Sequence, residues 1–245
     1  MTLATAVRAT SLGIVLAISF ASAALSESGR DWAVRSQQAS FGYNTLTAKV
    51  EMTLYRGGSV IGSRSLKVTL LEQGAGKHDM GTIDLTAPTS LAGTKLLSWS
   101  SDGGDDQQWL ETAGNDRGRR ATFVNSDYTF EDLLKWQVNN YKYDLAGKTS
   151  CCTQVKATPT TRSSAYGSML IDYVGKARIN RIQYFRKGSN SVWKEQVSSG
   201  YSRVGNSWQP RATVMTNFET GTRTVVHWSN YRANTAIDTT TFQPN

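Results

Sequence analysis

The sequence predicts a mainly β (α+β) protein: a large antiparallel sheet that curls around its apolar face, with one short helical piece. Three observations carry that expectation. Apolar and polar residues alternate with period two through most of the chain. Turn residues punctuate the alternating stretches at near-regular spacing. One stretch around Leu133 breaks the alternation and follows helical spacing instead.

Taken in order, the first residues read as a targeting signal. Arg8 is the only charged side chain before Glu27, residues 12–20 form an apolar run, and Ala21-Ser22-Ala23 fits the small-x-small cleavage rule. The run is too short for a membrane helix, which needs roughly 20 residues. The expected product is a periplasmic chain, exported and cleaved after Ala23. No cysteine follows the cleavage site, so no lipid anchor is expected, and no later segment is apolar enough to span a membrane. Residues 1–23 are thus the signal peptide and 24–245 a single domain, because no linker divides the rest. Residues 25–38 show no β pattern and read as either a helix or an irregular arm.

Residues 48–54 alternate cleanly, Gly57-Gly58 offers a turn, and 66–70 alternate again. That is a hairpin with one wet face and one buried face. Further strands are expected at 78–85, 96–100 and 107–112. Phe130, Leu133, Leu134 and Trp136 then follow helical spacing behind Thr129-x-x-Asp132, a weak capping box, so 129–137 reads as a short amphipathic helix. Strands resume at 141–145, 151–157, 168–174, 179–186, 192–198, 209–218 and 222–231. A sheet of this many strands is expected to curl. Its interior is either filled by large side chains or left as a half-barrel cavity for an apolar ligand, with the helix near Leu133 as a lid.

Composition removes several function classes. The formal net charge is +8, which suits anionic surfaces. The Lys and Arg residues are scattered, however, and a nucleic-acid partner is not expected. His78 and His227 are the only histidines and lie far apart, so no metal is expected. Ser191-x-x-Lys194 matches an acyl-enzyme motif in form only, since its partner motifs are missing. Gly74-Ala75-Gly76-Lys77 lacks phosphate-loop spacing. Asp102, Asp105 and Asp106 lack a calcium-loop pattern. No cofactor and no enzymatic activity are expected; a hydrolase would need a serine beside His78 or His227. Cys151 and Cys152 are adjacent and could close only a strained eight-membered ring. Two unpaired thiols are the expected state, with pairing to another chain as the alternative.

Several pieces in fixed order carry a family resemblance. They are Leu85-Thr86-Ala87-Pro88, Gly93-Thr94-Lys95-Leu96-Leu97, Asp105-Asp106-Gln107-Gln108-Trp109-Leu110, Arg119-Arg120, and Ser126-Asp127-Tyr128-Thr129-Phe130-Glu131-Asp132-Leu133. Downstream come Tyr141-Lys142-Tyr143, Ile171-Asp172, Trp208-Gln209-Pro210 and Met215-Thr216-Asn217. This order resembles the periplasmic outer-membrane lipoprotein-sorting family, the LolA-like proteins. Glu111-Thr112-Ala113 departs from it, standing where an aromatic and a proline are usual. The resemblance implies an incomplete, strongly curved, half-open β-barrel closed by helices. It also implies a carrier of lipoprotein acyl chains or another lipid, served by an inner-membrane transporter and an outer-membrane acceptor. Met52, Leu97, Trp99, Trp109, Phe130, Leu133, Leu134 and Trp136 are the expected cavity and lid residues. Arg119, Arg120, Glu131 and Asp132 are the expected rim or latch. The competing reading is a filled β scaffold that serves an envelope transporter or assembly complex.

Overall fold

Period-two alternation builds strands such as Thr45–Arg56, whose buried residues fall on one side. In the computed structural model, residues 27–74, 77–104, 106–112, 122–133 and 135–244 are described. The strands are β1 (Thr45–Arg56), β2 (Ser59–Leu71), β3 (Asp79–Ala87), β4 (Lys95–Ser100), β5 (Gln107–Glu111), β6 (Tyr141–Lys148) and β7 (Thr153–Pro159). They continue with β8 (Ser168–Val174), β9 (Arg178–Phe185), β10 (Val192–Ser199), β11 (Ser202–Val204), β12 (Ser207–Gln209), β13 (Ala212–Asn217) and β14 (Thr222–Ala233). Strands β11 and β12 form a separate hairpin. The other twelve make one sheet in the order β5-β4-β3-β2-β1-β14-β13-β10-β9-β8-β7-β6.

The expected strongly curved half-barrel is corrected by this ladder. Among the described residues it is an open sheet whose edge strands, β5 and β6, pair with no second neighbour. Alternation reports which residues share a face and says nothing about closure. The apolar face is sheltered by other parts of the chain. Register assembles that face: Val50 lies opposite Leu66 and Trp228, Val68 opposite Ile83, and Ile83 opposite Leu96. Across the sheet, Val155 lies opposite Ile171 and Ile171 opposite Ile182. These residues belong to one apolar core.

Two segments cover this inner face. The helix α1 (Gly29–Ser40) lies against β6, β7 and β9. Its start is fixed by a capping box in which the Ser28 hydroxyl accepts from the Asp31 N–H and the Ser28 N–H donates to the Asp31 carboxylate. Gly29 stands so close to β6 that an added Cβ would come within 2.9 Å of the Asp144 carbonyl carbon. The second cover is the connection from β5 to β6, described at Thr112, 122–133 and 135–140, of which the part from Thr122 to Asn140 lies over the sheet.

The expected amphipathic helix at 129–137 is also corrected. The connection contains three separate 3-10 turns, Phe123–Asn125, Glu131–Leu133 and Val138–Asn140. The capping contact does form, with Thr129 N–H and hydroxyl both donating to Asp132. Propagation fails because the following residues find partners on the sheet: the Trp136 indole donates to Tyr143 and Gln137 to Asp79. Val124 and Asn125 both adopt positive φ, 44° and 63°, which turns the connection sharply at its start.

Candidate functional site

At the seam between the 122–140 connection and the sheet, apolar surfaces from a cover and a floor meet around a void. The floor is Val50, Met52, Leu66, Val68, Ile83, Val226 and Trp228, brought together by the alternation of β1, β2, β3 and β14. From the cover, Phe123, Tyr128 and Leu133 point down onto it. The space left between them is about 40 Å³, room for on the order of one or two waters and not for an acyl chain. Phe130 meets Phe123 edge-on at 6.1 Å, and Trp136 stacks on Tyr141 at 4.1 Å. The seam is therefore closed.

Polar contacts at the margins hold the cover down. Asp127 accepts from the hydroxyls of Thr222 and Thr224, and the Thr224 hydroxyl accepts from the Asp127 N–H. Tyr128 and Thr213 share a hydrogen bond at 3.1 Å. Asp132 lies 2.6 Å from the Lys194 ammonium and accepts from the Tyr166 hydroxyl at 2.5 Å. Lys194 is fully buried, donates also to the Asp127 carbonyl, and has the rings of Tyr166, Tyr184 and Trp193 about 5 Å away. Such a buried pair persists only because every charge has a partner. Burial pushes the Tyr166 and Tyr184 hydroxyls well above the ordinary tyrosine range, so both stay protonated and Tyr166 remains a donor to Asp132. Glu131 accepts from the Ser164 hydroxyl and the Ala165 N–H. Its carboxyl is nonetheless held above the usual range, by burial first. At the far end of the cover, Lys135 pairs with Asp79 at 3.0 Å.

The expected site residues divide between two faces. Met52, Phe130, Leu133 and Trp136 lie at the inner face. Leu97, Trp99 and Trp109 lie on the outer one: Thr82, which faces Leu97, alternates with the core residue Ile83, and Trp109 pairs with Leu97. There the C-terminal turn Thr239–Phe242 covers them, with the Trp99 indole donating to the Phe242 carbonyl. Glu131 and Asp132 are buried anchors of the cover. Leu134, Arg119 and Arg120 lie outside the described residues, as do Asp105, the Gly-rich turn residues 75–76 and the expected signal peptide. Sequence reading missed Lys194 as the partner of Asp132, because a bulge between Val192 and Lys194 shifts its register.

Three other features bear on chemistry. Cys151 and Cys152 form a disulfide with each other, which corrects the expectation of two free thiols. The His78 imidazole lies 2.8 Å from the Ser101 hydroxyl and stacks on Trp99. The cavities of about 40 and 200 Å³ are not lined by this pair. Among the described residues no group of three or more His, Cys, Asp or Glu is placed to hold a metal ion. No helix among them is long and apolar enough to cross a membrane.

Solved structures share this architecture. A DUF1329 family protein from Desulfovibrio piger is 25% identical, with a TM-score of 0.79 over 88% of this chain and 95% of that one. A domain described as an outer membrane lipoprotein-sorting protein, from Vibrio parahaemolyticus, is 21% identical, with a TM-score of 0.77 over 87% and 95%. A LolA superfamily protein from Nitrosomonas europaea is 13% identical, with a TM-score of 0.70 over 89% and 98%. The fold is thus LolA/LolB-superfamily-like. Among curated proteins none matches the chain in sequence. A family model described as that of an uncharacterized protein matches residues 77–245, more than half of the sequence, and the chain belongs to that family.

Proposed function

We propose that the protein is a non-enzymatic periplasmic carrier that shields an acyl chain, of a lipoprotein or another lipid, between the inner face of its sheet and the 122–140 cover. The observation that carries this reading is the division of labour in the seam. Its interior is apolar on both sides, while its fastenings, Asp127, Asp132 and Lys135, sit in polar contacts around it. Opening the seam parts Phe123 and Tyr128 from Val50, Met52 and Val226, with which they form one core, so an incoming ligand must replace those contacts. An acyl chain laid on the floor takes the place of Phe123, Tyr128 and Leu133, and each methylene so sheltered contributes roughly 0.8 kcal/mol. The similarity in fold to a lipoprotein-sorting domain and to a LolA superfamily protein supports the same reading. An inner-membrane transporter and an outer-membrane acceptor are the partners such a carrier needs. Met52, Phe130, Leu133 and Trp136 are the proposed lining, and Glu131 and Asp132 the latch.

The test is uptake of a fluorescent fatty acid, read beside native mass spectrometry of protein purified gently from the periplasm. The expected result is saturable uptake and co-purified acyl species. Leu133→Glu, which puts a charge into the seam, should abolish uptake while the β signal in circular dichroism persists. Absence of both uptake and co-purified lipid from the unmodified protein would move the assignment to a filled interaction scaffold.

A further inference from the structure

We infer that one end of the sheet, carrying the β1–β2, β9–β10 and β13–β14 turns, docks on an anionic phospholipid surface. Val60, Ile61 and Phe218 are exposed there at 58%, 53% and 54%, three of the five exposed large apolar side chains of the described residues. Register sets the turns side by side. Arg56 lies opposite Ser59 on one flank and Thr222 on the other, while Asn217 lies opposite both Thr222 and Lys194. These turns also stand clear of the body. A Cβ added at Gly57, Gly58, Gly188 or Gly221 would meet no atom within 4 Å.

Charge selects the occupant. Arg56, Arg223, Arg186 and Lys187 lie on or beside the three turns and are exposed. The single acid on them, Glu219, is paired with Arg186 at 2.6 Å. An apolar tip ringed by cations matches a bilayer whose surface is phosphate and whose interior is hydrocarbon. A stable protein partner would need roughly 800 Å² of contact per side, and three apolar side chains on projecting turns supply too little. The surface adjoins a cavity of about 200 Å³ lined in part by Arg56, Ile61, Asn217 and Thr220. Docking does not depend on lipid carriage, and the two are separable by measurement.

The described sheet and helix lie wholly after residue 26, so the test uses protein beginning at Ala24. It is sedimented with vesicles of phosphatidylcholine alone, or of phosphatidylcholine mixed with phosphatidylglycerol. The expected result is binding to the mixed vesicles, weakened by salt and absent from the neutral ones. Val60→Ser, Ile61→Ser and Phe218→Ser combined should cost about tenfold or more per inserted side chain. Arg56→Gln with Arg223→Gln should cost about fivefold per cation. All these side chains are exposed, so thermal unfolding followed by circular dichroism should not move. If the triple variant does unfold early, the double arginine variant decides alone. Unmodified protein that stays in the supernatant, or a correctly folded variant that binds as well as it does, would overturn the inference, as would capture of a protein through these residues without vesicle binding. Fatty-acid uptake by the same variants should be unchanged, so that loss of docking and loss of carriage are told apart.

Discussion

Glu131 is the residue whose chemistry the fold distorts most usefully. Its carboxyl is held above the ordinary glutamate range by burial, and two hydrogen bonds, from Ser164 and Ala165, offset only part of that. The unfolded chain releases this proton at the ordinary value, the folded chain at a higher pH. Between those two points the folded state holds more protons, so stability falls as pH rises through the window and levels off above it. Glu131→Gln should remove that component of the slope while keeping an acceptor for Ser164. Urea midpoints measured across the acid range check this, and equal slopes in both proteins would show that Glu131 is not the source. At this scale the sequence was partly legible. Thr129-x-x-Asp132 announced a local hydrogen bond, and the bond is present. Lys194 was invisible as its partner, because a strand bulge decides which way a side chain points and no local pattern encodes it.

At the scale of elements, the 122–140 connection behaves as a cover clipped to strands far from it in sequence. The Asp132–Lys194 pair is its most buried clip. Lys194→Met should lower stability by about 3–5 kcal/mol, since it leaves a carboxylate buried and unpaired. Adding Asp132→Asn should recover part of the loss. Equilibrium urea unfolding gives both numbers, and a loss below about 1 kcal/mol for the single variant would mean the pair contributes little. The strands themselves were readable, since residues 48–54 fall inside β1 and 168–174 coincide with β8. Faces were readable only where one side is wet. In β4, Leu96 and Leu97 are both buried, because the core covers one face and Phe242 the other. No alternation survives there to assign Leu97 and Trp99. The helix expected at 129–137 failed for a related reason: Trp136 and Gln137 gain more from Tyr143 and Asp79 than from continuing a turn.

For the whole molecule, the twelve strands of the main sheet and their antiparallel pairing followed from the sequence, whereas the β11–β12 hairpin and the open edges at β5 and β6 among the described residues did not. Closure depends on how strands tilt and shift against one another, and on what else shelters the apolar face. Here α1 and the 122–140 cover do the sheltering. The disulfide adds nothing to that architecture. Cys151 and Cys152 are one residue apart, so joining them closes no loop of consequence and removes almost no freedom from the unfolded chain. Reduction with excess dithiothreitol should shift the thermal midpoint by no more than about 2 °C, read by circular dichroism; loss of the β signal would contradict this. The adjacent cysteines are therefore a record of compartment and not a staple. Protein beginning at Ala24 recovered from an oxidising milieu and the same protein made in a reducing cytosol should differ by two hydrogens in mass and be interchangeable as folded material, which makes the pair a built-in label for the redox state a given molecule has met.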